Sequence, residues 1–239
     1  VVTPTKPPDD HALVALLDVG TRPDGRAADT LRPSSFQRRY TKHAAGSVLV
    51  TVGDTQVIVT ASIDEKVPKH VQHDHGEGHG WLTAEYAMLP SATHTRNQRE
   101  RQKISGRSTE IQRLIGRCLR ASVNLTQLGA RTITIDADVI QADGGTRVAA
   151  ITGGFIAMAD AVQSLLDAGL LDTPPTLTPV AAISVGLIHH HPLLDLCYLE
   201  DFAADVDANV VMTAQGDFIE CQLSCEGHPF SRTDLETLL

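Results

Sequence analysis

Three groups of residues in this 239-residue chain have the types and spacing that chemistry requires. The first is Asp143-Gly144-Gly145-Thr146-Arg147, a glycine turn between a segment that alternates like a strand and one patterned as a helix. A helix start presents unpaired backbone N–H groups and a positive dipole end, and both favour an anion. Glycines let the backbone come close to that anion, Thr146 can donate its hydroxyl, and Arg147 adds a bidentate fork. The same string also suits an ordinary glycine turn with a surface arginine. No GxxxxGK[ST] loop occurs, so the turn is not of the Walker type.

The second group is Glu200, Asp201, Asp205, Asp207 and Asn209. Their spacing predicts Asp201 at the end of one strand and Asp207 near the start of the next. Two carboxylates joined across a short bend suit Mg²⁺, which takes one or two carboxylates plus water and phosphate oxygens. A solvated acidic loop has the same composition. The third group is histidine: His70, His73, His75 and His79, then His189, His190 and His191. Structural zinc sites usually mix cysteine with histidine in two separated pairs, so these clusters are expected to be exposed rather than ligating.

These residues need a frame. Ser47–Val52 and Thr55–Ser62 are β-branched runs on either side of Gly53-Asp54, which predicts a tight hairpin. Residues 64–80 read as loop. Ile111, Leu114, Ile115, Cys118, Leu119 and Val123 follow the spacing of one buried helical stripe from Ser108 onward, with Gly129 as the stop. Arg131–Gln141 alternates, with Ile133, Ile135, Ala137 and Val139 on one side. A helix of small apolar residues then runs through Ala149, Ile156, Ala157, Ala161 and Leu165 towards Gly169. After the loop at Pro174, Pro175 and Pro179, strands are predicted at Val180–Ile188, Leu193–Leu199, Val206–Thr213 and Phe218–Ser224. Ser231 with Asp234 reads as the cap of a last helix. Hairpins mixed with crossing helices imply an α+β fold.

Formal charge is −9, which by itself disfavours a nucleic-acid partner. The distribution reverses that inference. Arg96, Arg99, Arg101, Lys103, Arg107, Arg113, Arg117 and Arg120 face only Glu100 and Glu110, so this stretch carries +6 and the remainder −15. From Asp195 onward there are ten acids and one arginine. No apolar run is expected to reach the eighteen or so residues of a membrane span. Residues 1–20 lack the basic start and long apolar core of a secretory signal and are expected to be a flexible extension. Cys118, Cys197, Cys221 and Cys225 contain no CxxC pair, which predicts buried free thiols in a reducing cytoplasm.

Several strings resemble the ribonuclease PH family. They are Arg22-Pro23-Asp24-Gly25-Arg26, Leu31-Arg32-Pro33, Gly46-Ser47-Val48-Leu49-Val50, Gly53-Asp54-Thr55 and Thr60-Ala61-Ser62. Residues 81–90 (WLTAEYAMLP), Thr93-His94-Thr95-Arg96-Asn97, residues 141–147 (QADGGTR) and residues 207–212 (DANVVM) complete the set. The likeness runs in order from about residue 22 to the end. It implies a ribosomal-protein-S5-domain-2-like α+β unit over residues 21–239, without the family's usual last C-terminal helix, assembled as a homo-hexameric ring of dimers.

The resemblance further implies a phosphate-dependent 3′→5′ exoribonuclease that trims tRNA precursors, in which inorganic phosphate attacks the last phosphodiester and a nucleoside diphosphate leaves. Phosphate would be held by Arg107, within Gly106-Arg107-Ser108-Thr109-Glu110-Ile111, and by Gly145, Thr146 and Arg147. Asp201 and Asp207 would be the catalytic, Mg²⁺-holding pair, and Arg96 and Arg99 would guide RNA or line a subunit contact. The chain departs from the family in its His-rich segment before Trp81, in a shorter stretch between Arg96 and Arg107, and at residues 222–227.

Overall fold

The computed structural model describes residues 21–76, 78–100, 104–225 and 229–239. The N-terminal stretch 1–20, Glu77, Arg101, Lys103, Glu226 and Gly227 lie outside the described residues.

The predicted hairpin forms as β2 (Gly46–Val52) and β3 (Thr55–Asp64), with Gly53 in the left-handed region at φ +55. They join β1 (Ser34–Arg38), β4 (Trp81–Met88) and β5 (Thr132–Gln141) in a five-stranded sheet of order β1-β2-β3-β5-β4. Only the β4–β5 pair is parallel. Two strands escaped the sequence reading. β1 is exposed along its whole length, so it carries no burial alternation, and β4 is marked in the sequence only by the family string at residues 81–90.

Residues 64–80 are not all loop. Pro68 starts α1 (Lys69–His75), a short helix with Val71 as its one buried anchor. α2 (Gly106–Arg120) makes the crossover between the parallel strands, with Ile111, Leu114, Ile115, Cys118 and Leu119 buried as the stripe predicts. It stops at Arg120 rather than at Gly129, which instead ends the separate turn α3 (Leu125–Leu128), capped by Asn124.

α4 (Thr146–Asp167) packs on β2 and β3 and also touches β6 (Val180–Ile188). Its small residues allow this: a Cβ on Gly46 of β2 would sit 1.9 Å from the Ala157 carbonyl oxygen. Contrary to the sequence expectation, α4 has the length and apolar composition of a membrane span. Its apolar stretch is 67% buried among the strands, which accounts for the composition.

The second sheet has the order β7-β6-β8-β9, with β7 (His191–Leu194), β8 (Val206–Thr213) and β9 (Phe218–Cys225). His189 and His190 form the two-residue corner between β6 and β7, both at positive φ, and the His189 N–H donates to Asp205 Oδ2 at 2.6 Å. The strand predicted over Leu193–Leu199 ends early. Asp195 turns the chain at φ +59, and α5 (Tyr198–Ala203) follows because the Glu200 carboxylate accepts the Cys197 N–H at 2.9 Å. Asp201 therefore lies on a helix, not at a strand end. The chain closes with α6 (Arg232–Leu238), begun by the Ser231–Asp234 capping box. Cys118 and Cys197 are buried, and burial pushes their thiols up to about 12 and about 11. Cys221 and Cys225, on the edge strand β9, are exposed, against expectation.

Buried ion pairs join the segment before β1 to the second sheet. Arg22 donates through Nε and Nη2 to both Glu200 oxygens at 2.7 and 2.6 Å, and through Nη1 to the Leu194 carbonyl at 2.7 Å. Arg32 grips Asp195 the same way, with Nη2 to Oδ1 at 2.7 Å and Nε to Oδ2 at 3.1 Å. Removing one partner strands a charge away from water. Glu200→Gln should therefore lower unfolding free energy by about 3–5 kcal/mol, whereas Arg232→Ala, which breaks the exposed Arg232–Glu236 pair, should change the urea midpoint little. Equal midpoints for Glu200→Gln and the parent chain would refute this account.

Candidate active site

Two helix N-termini and one carboxylate pair meet in a single cleft of about 1030 Å³. α4 begins just after Gly145, whose left-handed φ of +67 turns the chain out of β5, and no side chain caps the helix. Gly144 before it, at φ +76, lies so close to the β7–α5 segment that a Cβ would sit 2.6 Å from the Leu196 carbonyl oxygen. Three hydrogen bonds with two side chains fix the turn. Thr55 Oγ1 donates to the Gly144 carbonyl at 2.7 Å and accepts the Asp143 N–H at 2.9 Å. Arg32 Nη1 donates to the Asp143 carbonyl at 2.5 Å. The glycine turn is thus held in place with its helix start open to the cleft, as an anion site requires.

Thr146 and Arg147 occupy the first turn of α4, and Arg107 the first turn of α2. Both arginines line the cleft with Gly145 and Thr146. The Tyr86 hydroxyl, on β4, lies 2.8 Å from Thr146 Oγ1. Burial raises the Tyr86 pKa, against the pull of the Thr146 bond and of the Arg107 and Arg147 charges. A neutral phenol there can donate to Thr146 Oγ1 and leave the threonine proton directed at a ligand. Arg147 is steadied by Glu110 of α2, with Nη1 to Oε2 at 3.5 Å.

Asp201 on α5 and Asp207 on β8 line the same cleft, beside Asn209. Burial first, and the Asp207 charge second, raise the Asp201 pKa, while Arg147, Arg107 and Arg32 pull it back. The cleft therefore brings the two acidic side chains close enough to feel one another, with cations nearby. Among the described residues no group of three or more His, Cys, Asp or Glu converges to hold a metal. An all-oxygen pair fits a hard cation that completes its shell with water and phosphate oxygens, as Mg²⁺ does.

The predicted phosphate and carboxylate residues, Arg107, Gly145, Thr146, Arg147, Asp201 and Asp207, are all brought together. Arg99 also lines the cleft, whereas Arg96 is exposed and does not. The two histidine clusters do not line it: His75 and His79 stack at 4.6 Å, and His70 sets its ring edgewise on Trp81. Sequence reasoning gave no role to Tyr86, His94, Ser184 or Tyr198, which also line the cleft, nor to Arg22, Arg32 and Glu200, which support it. Arg22, Arg32 and Tyr86 were visible as members of specific strings; their partners, more than a hundred residues away in the first two cases, were not.

Solved structures share this fold. A chain of the archaeoglobus fulgidus exosome with RNA bound to the active site superposes at TM-score 0.78 and 20% identity, covering 96% of this chain and 91% of that one. A chain of an archaeal exosome core gives 0.73 at 18% identity, over 96% and 89%. Rice (Oryza sativa) Rrp46 gives 0.69 at 20% identity, over 90% of each chain. Residues 30–163 match domain 1 of the 3′ exoribonuclease family and residues 178–239 match domain 2. With both halves of the cleft inside those two matches, the chain belongs to the 3′ exoribonuclease family of the RNase PH type.

Proposed function

We propose that the protein is a phosphorolytic 3′→5′ exoribonuclease acting on the 3′ ends of tRNA precursors. One observation carries this reading: Arg107 and Arg147, on two helix N-termini, face the Asp201–Asp207 pair within one cleft. Phosphoryl transfer asks chiefly for positioning and charge stabilisation, and these groups supply both. Arg107, Arg147, the Thr146 hydroxyl and the α4 N–H groups hold inorganic phosphate and offset its repulsion from the scissile phosphodiester. An oxygen of that phosphate attacks the terminal phosphorus. The bond to the 3′ oxygen of the preceding nucleotide breaks, that oxygen takes a proton, and a nucleoside 5′-diphosphate leaves. The reverse reaction lengthens RNA from nucleoside diphosphates.

Asp201 and Asp207 would hold Mg²⁺. When bound, that ion supplies charge stabilisation at the transferring phosphoryl group and the leaving oxygen. Arg99, at the cleft, would lead the strand in. The like fold of chains from archaeal exosomes, one of them an exosome with RNA bound to the active site, supports RNA as the polymer, and we propose a homo-hexameric ring as the assembly. Four free thiols suit a reducing cytoplasm.

The test is to incubate the protein with a tRNA carrying extra 3′ nucleotides, with and without phosphate and Mg²⁺. Nucleoside diphosphates should appear only with both. Nucleoside monophosphates, or release without phosphate, would overturn the reading. Arg147→Ala should cut kcat/KM for phosphate about 10- to 100-fold, the worth of a charge-assisted hydrogen bond. Asp201→Asn should lower kcat on the order of 10³-fold, a loss of several kcal/mol at the transition state, with RNA still bound in a filter or anisotropy assay. Full activity in both variants would mean the centre lies elsewhere.

A further inference from the structure

Three aromatic rings meet in succession, His94 on Tyr198 and Tyr198 on Phe202, with planes tilted by 54° and 38° so that each offers its own face. His94 and Tyr198 both line the cleft, with ring centroids 5.4 Å apart. Tyr198 in turn meets Phe202, four residues on along α5, at 6.2 Å. Phe202 does not belong to the cleft lining and is 63% exposed, the most exposed of the large apolar side chains among the described residues. Beyond its contact with Tyr198, most of the Phe202 ring is left facing water. Its surroundings are specific: it stands on the same short helix as Asp201, next to it in sequence. α5 is held rigidly, because Glu200 inside it is fully buried and bound by Arg22.

We infer that His94, Tyr198 and Phe202 form a stacking ledge on which bases of the single-stranded RNA rest as its 3′ end enters the cleft. This inference rests on the exoribonuclease reading and names a binding element of that same site. Aromatic faces accept any base, because every base has a π-face, and this suits an enzyme that must pass successive, different nucleotides through one centre. Phosphate contacts fix a strand without setting where its bases lie; the ledge adds a surface for the bases. Tyr198 and Phe202 stand on the helix that carries Asp201, while Arg107 and Arg147 belong to the starts of α2 and α4. A strand resting its bases on the rings would therefore keep its backbone free for the cations. The competing occupant of an exposed phenylalanine is another protein surface, and the presence of two of the three rings inside the cleft favours RNA.

The test measures equilibrium binding of a fluorescent single-stranded oligonucleotide by anisotropy, without phosphate, in parallel with the mass of each variant in solution. Phe202→Ala should weaken binding about tenfold, the size of one lost base–aromatic stack, and Phe202→Trp should restore it. Tyr198→Leu should weaken binding similarly while Tyr198→Phe, which keeps the ring, should not. An oligonucleotide with abasic sites near its 3′ end should bind the parent chain and Phe202→Ala alike. Wild-type affinity in Phe202→Ala, or equal losses on normal and abasic RNA, would overturn the ledge. So would a smaller assembly mass with RNA affinity retained, which would assign Phe202 to a subunit contact. Because binding is read without turnover, ring-dependent binding with no phosphorolysis would refute the proposed reaction and leave the ledge standing. Phosphorolysis with ring-independent binding would do the reverse.

Discussion

Arg22 and Glu200 are separated by 178 residues and meet with 1% and 0% of their side chains exposed. Their guanidinium and carboxylate are joined through two parallel bonds, and the remaining donors of Arg22 reach backbone carbonyls. A buried pair of this kind is weak evidence for stability, since apolar side chains of equal volume often do as well. What it fixes is geometry. Planar groups joined by two bonds tolerate little sliding, so the β7–α5 segment has few positions relative to residues 22–32. Arg32 extends the same constraint, holding Asp195 with one part of its guanidinium and the Asp143 carbonyl with another. The glycine turn that starts α4 and the helix that carries Asp201 are thereby held to one arginine-rich segment.

That arrangement explains why the cleft forms where it does. Arg107, Arg147 and Thr146 belong to residues 30–163, and Asp201 and Asp207 to residues 178–239. Neither sheet could build the site alone. α4 spans the gap, packed on β2 and β3 and touching β6, where the Ala182 N–H donates to Thr152 Oγ1 at 3.1 Å. At Gly144 a side chain would push the halves apart, because its Cβ would meet Leu196, Cys197 and Tyr198 of the second half.

The local frame was largely legible in the sequence, because burial leaves a period. Ile133, Ile135, Ala137 and Val139 alternate and are at most 1% exposed, and the α2 stripe is likewise buried. β1 left no period because nothing covers it. The strand expected over Leu193–Leu199 runs into the start of α5 because the helical start depends on a side-chain bond from the Cys197 N–H to Glu200, which competes with the β-like apolar run around it. Arg107, Thr146, Arg147, Asp201 and Asp207 were legible as residue types near a helix start or in an acidic bend, and their convergence was carried by the family strings. His94, Tyr198 and Phe202 were not legible, since three aromatics from two segments carry no periodic signal. The histidines drew attention by composition alone; the fold uses His189 and His190 as a hairpin corner.

Charge gives the most general constraint on what enters. The formal total of −9 conceals +6 between Arg96 and Arg120 and −15 elsewhere. In the cleft these opposite populations face each other without cancelling: burial and Asp207 work against ionised Asp201, while Arg107, Arg147 and Arg32 favour it. An anion at the helix starts removes part of the arginines' support for Asp201 and so increases the repulsion within the acidic pair. A cation at that pair removes the repulsion and strengthens the pull on the anion. The two ligands therefore favour one another through the field of the site, with no change of shape needed. On the proposed reaction, phosphate and metal should bind cooperatively, and RNA, repelled by most of the acidic surface, should find its favourable approach where the cationic helix starts open.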